Sequence, residues 1–429
     1  MQKILILLLI ILMSISCSSK SSDANSENKI TVWHVQSADI QGAIFNRAKD
    51  RFLKEYPDYT VDMNAMKSDA YKTQIQIAVG ANSAPDIFVT WGGGTMLNYI
   101  KANKIIDLTP YMSQNGFSNK FIPASLLQVS VDDKIYAVPV EAVTIAMVFY
   151  NKKLFEENGW TVPTTLTELE SLCDKMLAKG IKPFALANKT KWPASMIYMS
   201  LVQRIGGTKV FYDAANRVNG GSFENPAFIE AAKKFVEWVD KGYFNEGFNG
   251  LDYNTGQGRA LMYTGKTAME INGSFLTISM LSENPDFFNN NLDAFIFPAI
   301  EGSKANPKEL IGSAGDMFYC ISSTSKNPDM AFKLLERFVD DQAVKENLDI
   351  GIIPPIKNAS PEGTISKKIA AAVNEAPAIQ LWYDQYLPPE LAQVHMDTLQ
   401  AVIGKTMTPE EACKQLEAKA LELLGPSSK

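Results

Sequence analysis

Two α/β lobes, each a mainly parallel sheet flanked by helices, are the fold class predicted for this 429-residue chain. Three observations carry it. At ~100–200 residues per domain the length calls for two or three domains. The first hundred residues alternate strand-like and helical runs, the pattern of a parallel sheet with covering helices. After a long helical excursion, strand texture returns in DAFIFPA (293–299) and DMFYCIS (316–322), so the lobes are discontinuous in sequence. A hydrophobic content of 46% with 21% charged residues excludes wholesale disorder.

The chain opens on Lys3 and an unbroken apolar run, Ile4 to Met13, followed by Ser14, Ile15, Ser16 and Cys17. Ten apolar residues are too few to span ~30 Å of hydrocarbon, so 1–16 reads as a signal peptide. Cys17 is then the lipid-modified first residue of a lipoprotein, although Ser14 stands where Leu is usual. Ser/Asn/Asp-rich residues 17–28 form a flexible tether. Cys173, Cys320 and Cys413 lack CxxC spacing, so neither a disulfide framework nor a zinc site is expected.

KITVWHV (29–35) is strand-like, an amphipathic helix follows over 40–54, and YTVDMNA (59–65) is the next strand. SDAYKTQIQIAVGAN (68–82) reads as a helix and PDIFVTW (85–91) as a buried strand. Right-handed crossovers place the strand ends along one sheet edge, which carries Trp33, His34, Trp91 and Gly92–Gly94. Two strand-like runs, 132–141 and 144–153, come next. Asn151 is placed to cap the helix that Gly159 stops. A second α/β unit includes helical LTELESLCDKMLAKG (166–180) and FENPAFIEAAKKFVEWVDKG (223–242). The last ninety or so residues are helical, ending in TPEEACKQLEAKALELL (408–424) with a threonine cap. The expected partition is 29–139 with 293–338 in the first lobe, and 140–292 with 339–429 in the second.

Several functions are excluded or left without support. A net charge of -6 provides no footprint for nucleic acid. His34 and His395 are the two histidines, too few for a histidine-rich metal site. GxxxxGK[ST], GxGxxG after a strand, GxSxG and HExxH are absent, so no cofactor is expected. A glycoside hydrolase needs only two carboxylates and has no such signature, so that possibility stays open.

ITVWH (30–34), APDIF (84–88) and IYAVPVE (135–141) recur in order with FYNKKLFEENGW (149–160), VPTTLTEL (162–169) and KGIKPFAL (179–186). GKTAMEINGSF (265–275), NPDMAFKLLERFVDDQAVKEN (327–347), LWYDQYLPPELAQVH (381–395) and GKTMTPEEACKQLE (404–417) complete the series. In this order the chain resembles the family 1 extracellular solute-binding proteins, the receptor lipoproteins of carbohydrate ABC importers. LWYDQYLPP is similar to the oligosaccharide branch. The resemblance implies a two-lobed periplasmic-binding-protein fold (type II, Venus-flytrap) with three crossing segments. It also implies a cleft that shuts on an oligosaccharide, delivery to an ABC permease in the membrane, and no catalysis. The chain is expected to be a monomer in the cell envelope, held through Cys17 and facing the periplasm or exterior.

A sugar offers apolar C–H faces and a rim of hydroxyls, so its site needs flat rings beside carboxylates and amides. Trp91, before three glycines that allow close backbone approach, is the first candidate. Trp382, Tyr383 and Asp384 follow, in a stretch before Pro388 and Pro389. Glu141 and Thr144 lie at the expected crossover, and Asp316 interrupts an apolar run where an unpaired carboxylate is costly. Trp192, Trp33, His34 and Phe275 complete the set; which of Trp33 or His34 faces the cleft turns on a one-residue register. Trp238 sits at helical spacing with Phe235 and reads as core, and Trp160 as a packing plug. The competing readings are a secreted hydrolase or lyase using a pair from Glu141, Asp316 and Asp384, and a receptor for a non-sugar solute such as a polyamine.

Overall fold

The computed structural model describes residues 28–36 and 39–428, so the leader, Cys17 and most of the tether lie outside the described residues. Strands β1 (Lys29–His34), β2 (Thr60–Ala65) and β3 (Ile87–Thr90) are joined by the helices Asp39–Glu55 and Ser68–Gly80. After a hairpin of β4 (Ser130–Val131) and β5 (Lys134–Ile135), β6 (Val138–Pro139) ends the first visit to the first lobe. The second lobe then supplies β7 (Thr144–Asn151), β8 (Lys182–Phe184), β9 (Thr267–Gly273), β10 (Leu292–Phe295) and β11 (Leu310–Ser313). The chain returns for β12 (Phe318–Ile321), and β13 (Ile379–Gln380) adds to the second sheet. The sheet orders are β2-β1-β3-β12-β6 and β13-β11-β7-β9-β8, with β10 also on β7.

Both sheets are mixed, which corrects the expectation of mainly parallel ones. β1 pairs in parallel with β2 and β3, but β12 runs antiparallel to β3 and β6. In the second lobe β7 runs antiparallel to β9, β10 and β11. The reason lies in the crossings. Strands reached through covering helices, such as β3 and β9, run toward the interlobe cleft. β7 and β12 are entered from a crossing segment, start at the cleft and run away from it.

The boundaries also change. β10 and β11 pair in the second sheet, so 293–313, expected in the first lobe, belongs to the second. The helix Asp341–Asp349, expected in the second lobe, packs on the helix Asp39–Glu55 of the first. Crossings therefore run through 140–143, 314–317 and about 350–363. In the last of these Ile353 O accepts from Val143 N, and Pro355 O accepts from Ile122 N.

Local signals hold. Asn151 Oδ1 accepts from Leu154 N, and Gly159 ends that helix at φ 64°. Thr165 and Thr408 each form a capping box, with Glu168 and Glu411. Each lobe has its own core: Val32, Phe88, Tyr319 and Phe338 in the first, and Phe149, Phe184, Phe211 and Trp238 in the second. Trp238 is fully buried, Trp160 packs on Phe155, and all three cysteines of the body are buried free thiols. Among the described residues no helix is long and apolar enough to cross a membrane.

Candidate functional site

A cleft of about 1700 Å³, open mouth included, lies between the lobes over the crossing segments. Its floor comes from the crossings, with Glu141 on the first, Thr144 just after it at the start of β7, and Asp316 and Met317 on the second. One wall belongs to the first lobe. Trp91 follows β3, while Lys67, Ser68 and Lys72 come from the start of the helix Ser68–Gly80.

The second-lobe wall is an arc of rings. Trp382 meets Phe275 edge-on with centroids 6.4 Å apart, Phe275 meets Trp192 at 5.9 Å, and Trp192 meets Tyr253 at 4.4 Å. Edge-to-face packing of this kind lets the rings order one another while leaving ring faces to a ligand. Trp192 starts a buried helix, and Phe275 sits in the turn after β9.

Polar groups alternate with the rings, and most are already held. Glu141 accepts from Gln36, from Gln41 at 3.3 Å and from the Tyr319 hydroxyl at 3.0 Å. Burial pushes its carboxyl up to about 8 against those bonds, and Asp316 nearby adds to the rise. Asp316 is pushed up to about 6, again by burial, while the Trp382 indole N–H at 3.3 Å favours its charged form. Asp384 faces Lys72 across the cleft at 3.6 Å and accepts from Gln385. Lys72 also lies 4.9 Å from the Trp91 ring centroid, as a cation over a π face. Arg259 grips Glu283 through two bonds, at 2.9 and 2.5 Å. Burial opposes the Glu283 charge, but those bonds outweigh it and hold the carboxyl low.

Trp91, Trp192, Trp382, Phe275, Glu141, Asp316 and Asp384 thus come together around one cleft. Three expected residues do not. Tyr383 turns into the second-lobe core, stacked on Phe211 at 3.7 Å: it opens the short helix Tyr383–Tyr386, whereas Trp382 precedes that helix in non-helical backbone (φ -50°, ψ 136°). His34 is buried against Phe45, accepts from Gln36 N at Nδ1, and is pushed down to about 4 by burial. Trp33, on the other face of β1, packs on the first-lobe core. The glycine run also serves a different purpose from the one expected. A Cβ on Gly93 or Gly94 would fall 2.1 Å from Gln385 O or 2.4 Å from Leu387 O, so the backbone admitted there is the protein's own.

Lys72, Tyr253, Asn254, Arg259 and Glu283 were not singled out from sequence. They lie in ordinary helical or turn stretches, and only the lobe arrangement brings them to the cleft. Among the described residues no group of three or more His, Cys, Asp or Glu is placed to hold a metal.

Residues 37–345 match the family model described as bacterial extracellular solute-binding protein. A probable sugar-binding periplasmic protein of Mesorhizobium japonicum is 23% identical over 94% of this chain and 95% of its own length. An uncharacterised ABC transporter extracellular-binding protein of Pyrococcus horikoshii is 25% identical over 58% of this chain, which spans only 56% of that relative. A solved structure described with xylan utilization by the thermophilic bacterium Caldanaerobius polysaccharolyticus superposes with a TM-score of 0.85. It is 31% identical and covers 91% of this chain and 99% of its own. With two mixed sheets, a cleft over three crossings and a family match over most of the body, the chain belongs to the bacterial extracellular solute-binding proteins.

Proposed function

We propose that the chain is a non-catalytic receptor that closes on an oligosaccharide and presents it to an ABC import permease. The carrying observation is the arc Trp382–Phe275–Trp192–Tyr253 facing Trp91 across a cleft rimmed by amides and carboxylates. Several ring faces suit several sugar units. Each paired hydroxyl adds only ~0.5–1.5 kcal/mol, so affinity must accumulate along the cleft. The resemblance to a probable sugar-binding periplasmic protein, and to a structure described with xylan utilization, supports the same cargo class.

Glu141 already serves Gln36, Gln41 and Tyr319, and Asp384 faces Lys72, which speaks against a free acid–nucleophile pair. The Arg259–Glu283 and Lys72–Asp384 pairs neutralise two of the four carboxylates that line the cleft, and burial opposes charge on the other two, Glu141 and Asp316, which disfavours a polyamine. A ligand that touches both lobes binds the closed form best and shifts the population toward it. Calorimetric titration with xylo- and α-galacto-oligosaccharides of two to four units, followed by chromatography of each sugar, tests the reading. One-to-one binding with unchanged sugar is expected. Shortened sugar would establish hydrolysis instead, and silence across the panel would favour a non-sugar solute.

We also propose export by residues 1–16, a lipid anchor on Cys17 and a monomeric state in the cell envelope. Cys17→Ala is expected to move the chain from the membrane fraction to the soluble one. An unchanged distribution would refute the anchor.

A further inference from the structure

The first turns of the helix Ser68–Gly80 face the second lobe, and the contacts made there are the protein's own. Asn254 Nδ2 donates to Asp69 Oδ2 at 2.6 Å, and Lys67 Nζ donates to Asn254 O at 2.8 Å. Asn254 belongs to a short 3-10 turn that is built to hold one shape. Asp252 caps it by accepting from Asn254 N at 2.9 Å, and Gly256 closes it at φ 72°. Arg259 braces it from beneath. Its guanidinium lies 4.7 Å from the Tyr253 ring centroid, donates to Tyr253 O at 3.3 Å and is anchored on Glu283.

Two neighbouring residues of this turn therefore face two different tasks. Tyr253 ends the arc of rings along the cleft. Asn254 reaches the opposite lobe.

We propose that the turn 252–256 is a closure latch, in which Asn254 clasps Asp69 and Lys67 across the cleft mouth while Tyr253 ties the same turn to the ligand wall. Because the lobes are joined covalently only at the crossings, opening must break the Asn254 bonds. A ligand that orders Tyr253 orders the latch as well, and a closed latch holds the ring wall in place. The coupling is reciprocal, as any linkage between two sites must be. Arg259 acts through the turn and is a positioning residue. The inference rests on the reading of the cleft as one that closes, and not on which solute enters it.

Asp69 suits the test because it is not among the residues that line the cleft. Fluorophores on Asp58→Cys and Glu246→Cys, exposed positions of the two lobes, read the closed-to-open ratio by energy transfer in the Cys17→Ser chain without sugar. Asp69→Ala and Asn254→Ala are each expected to lower that ratio about 3- to 10-fold, the worth of one net hydrogen bond. The double variant should lose no more than the larger single loss, since both remove the same bond. Asp69→Asn retains an acceptor oxygen and should recover most of the ratio, which separates the latch from any folding defect. Single variants within twofold of the parent would overturn the latch. So would losses that add in the double variant, or a parent chain that is fully open. If no sugar in the panel binds while the ratio still answers to Asp69, the cargo reading fails and the latch stands.

Discussion

Gly94→Ala should weaken ligand binding while leaving the empty protein as stable as before, or slightly more so. Gly94 lies in the first turn of the helix Gly93–Lys101, where alanine is the better helix former by at most ~1 kcal/mol. Its added methyl would sit 2.4 Å from Leu387 O, 2.7 Å from Leu387 C and 2.8 Å from Pro388 N. Carbon contacts settle near ~3.5–4.0 Å, so the backbone at 387–388 must retreat by about 1 Å. Those residues belong to the second lobe, where Leu387 is part of the core. The clash therefore falls on the closed arrangement, and opening relieves it. Overpacking costs ~1–3 kcal/mol, which corresponds to a loss of about 5- to 150-fold in affinity. The assay pairs calorimetric titration, using the tightest sugar of the panel, with a thermal melt of the unliganded chain. Gly80→Ala is the control, because a Cβ there meets nothing within 4 Å. An unchanged affinity would refute the reasoning. So would an affinity loss accompanied by an equal loss of stability without ligand, since the contact would then be as tight in the open form.

Three further outcomes follow from the same geometry. Burial holds Asp316 up to about 6, above its unfolded value near ~3.9. Its contribution to stability is thus complete below about pH 4 and is lost as pH rises through 6. The melting temperature of Asp316→Asn relative to the parent should rise across that window and then level; a constant difference would exclude the linkage. Arg217→Ala breaks a buried pair with Glu417 at 2.6 Å, whose carboxylate also accepts from Phe223 N. A denaturant titration should show a loss of ~3–5 kcal/mol with sugar affinity intact, and a loss below ~1 kcal/mol would contradict it. Trp192→Ala should reduce sugar affinity about tenfold through lost stacking, whereas Trp238→Ala should cost ~3–5 kcal/mol of stability. Exchanged phenotypes would show that the wall and core assignments are wrong.

Sequence alone determined what depends on near neighbours. The Asn151, Thr165 and Thr408 caps and the Gly159 stop are written within a turn of the residues they serve. The alternation that predicted two α/β lobes is likewise local. So is the placement of Trp91 after a strand and before three glycines, and of Trp192 and Trp382 in loop-like stretches, which singled them out as cleft candidates. Tertiary structure decided what depends on partners far along the chain. DAFIF and MFYCI have the same strand texture, yet their residues enter different sheets, because β7 offers an edge to one and β3 to the other. Trp382 and Tyr383 are adjacent aromatics, and only the packing of Phe211 settles that one lines the cleft while the other fills the core. Lys72, Asn254 and Arg259 carry no local mark of their position. Their roles arise because closing two lobes sets a helix of one against a turn of the other, a juxtaposition determined by the three crossings.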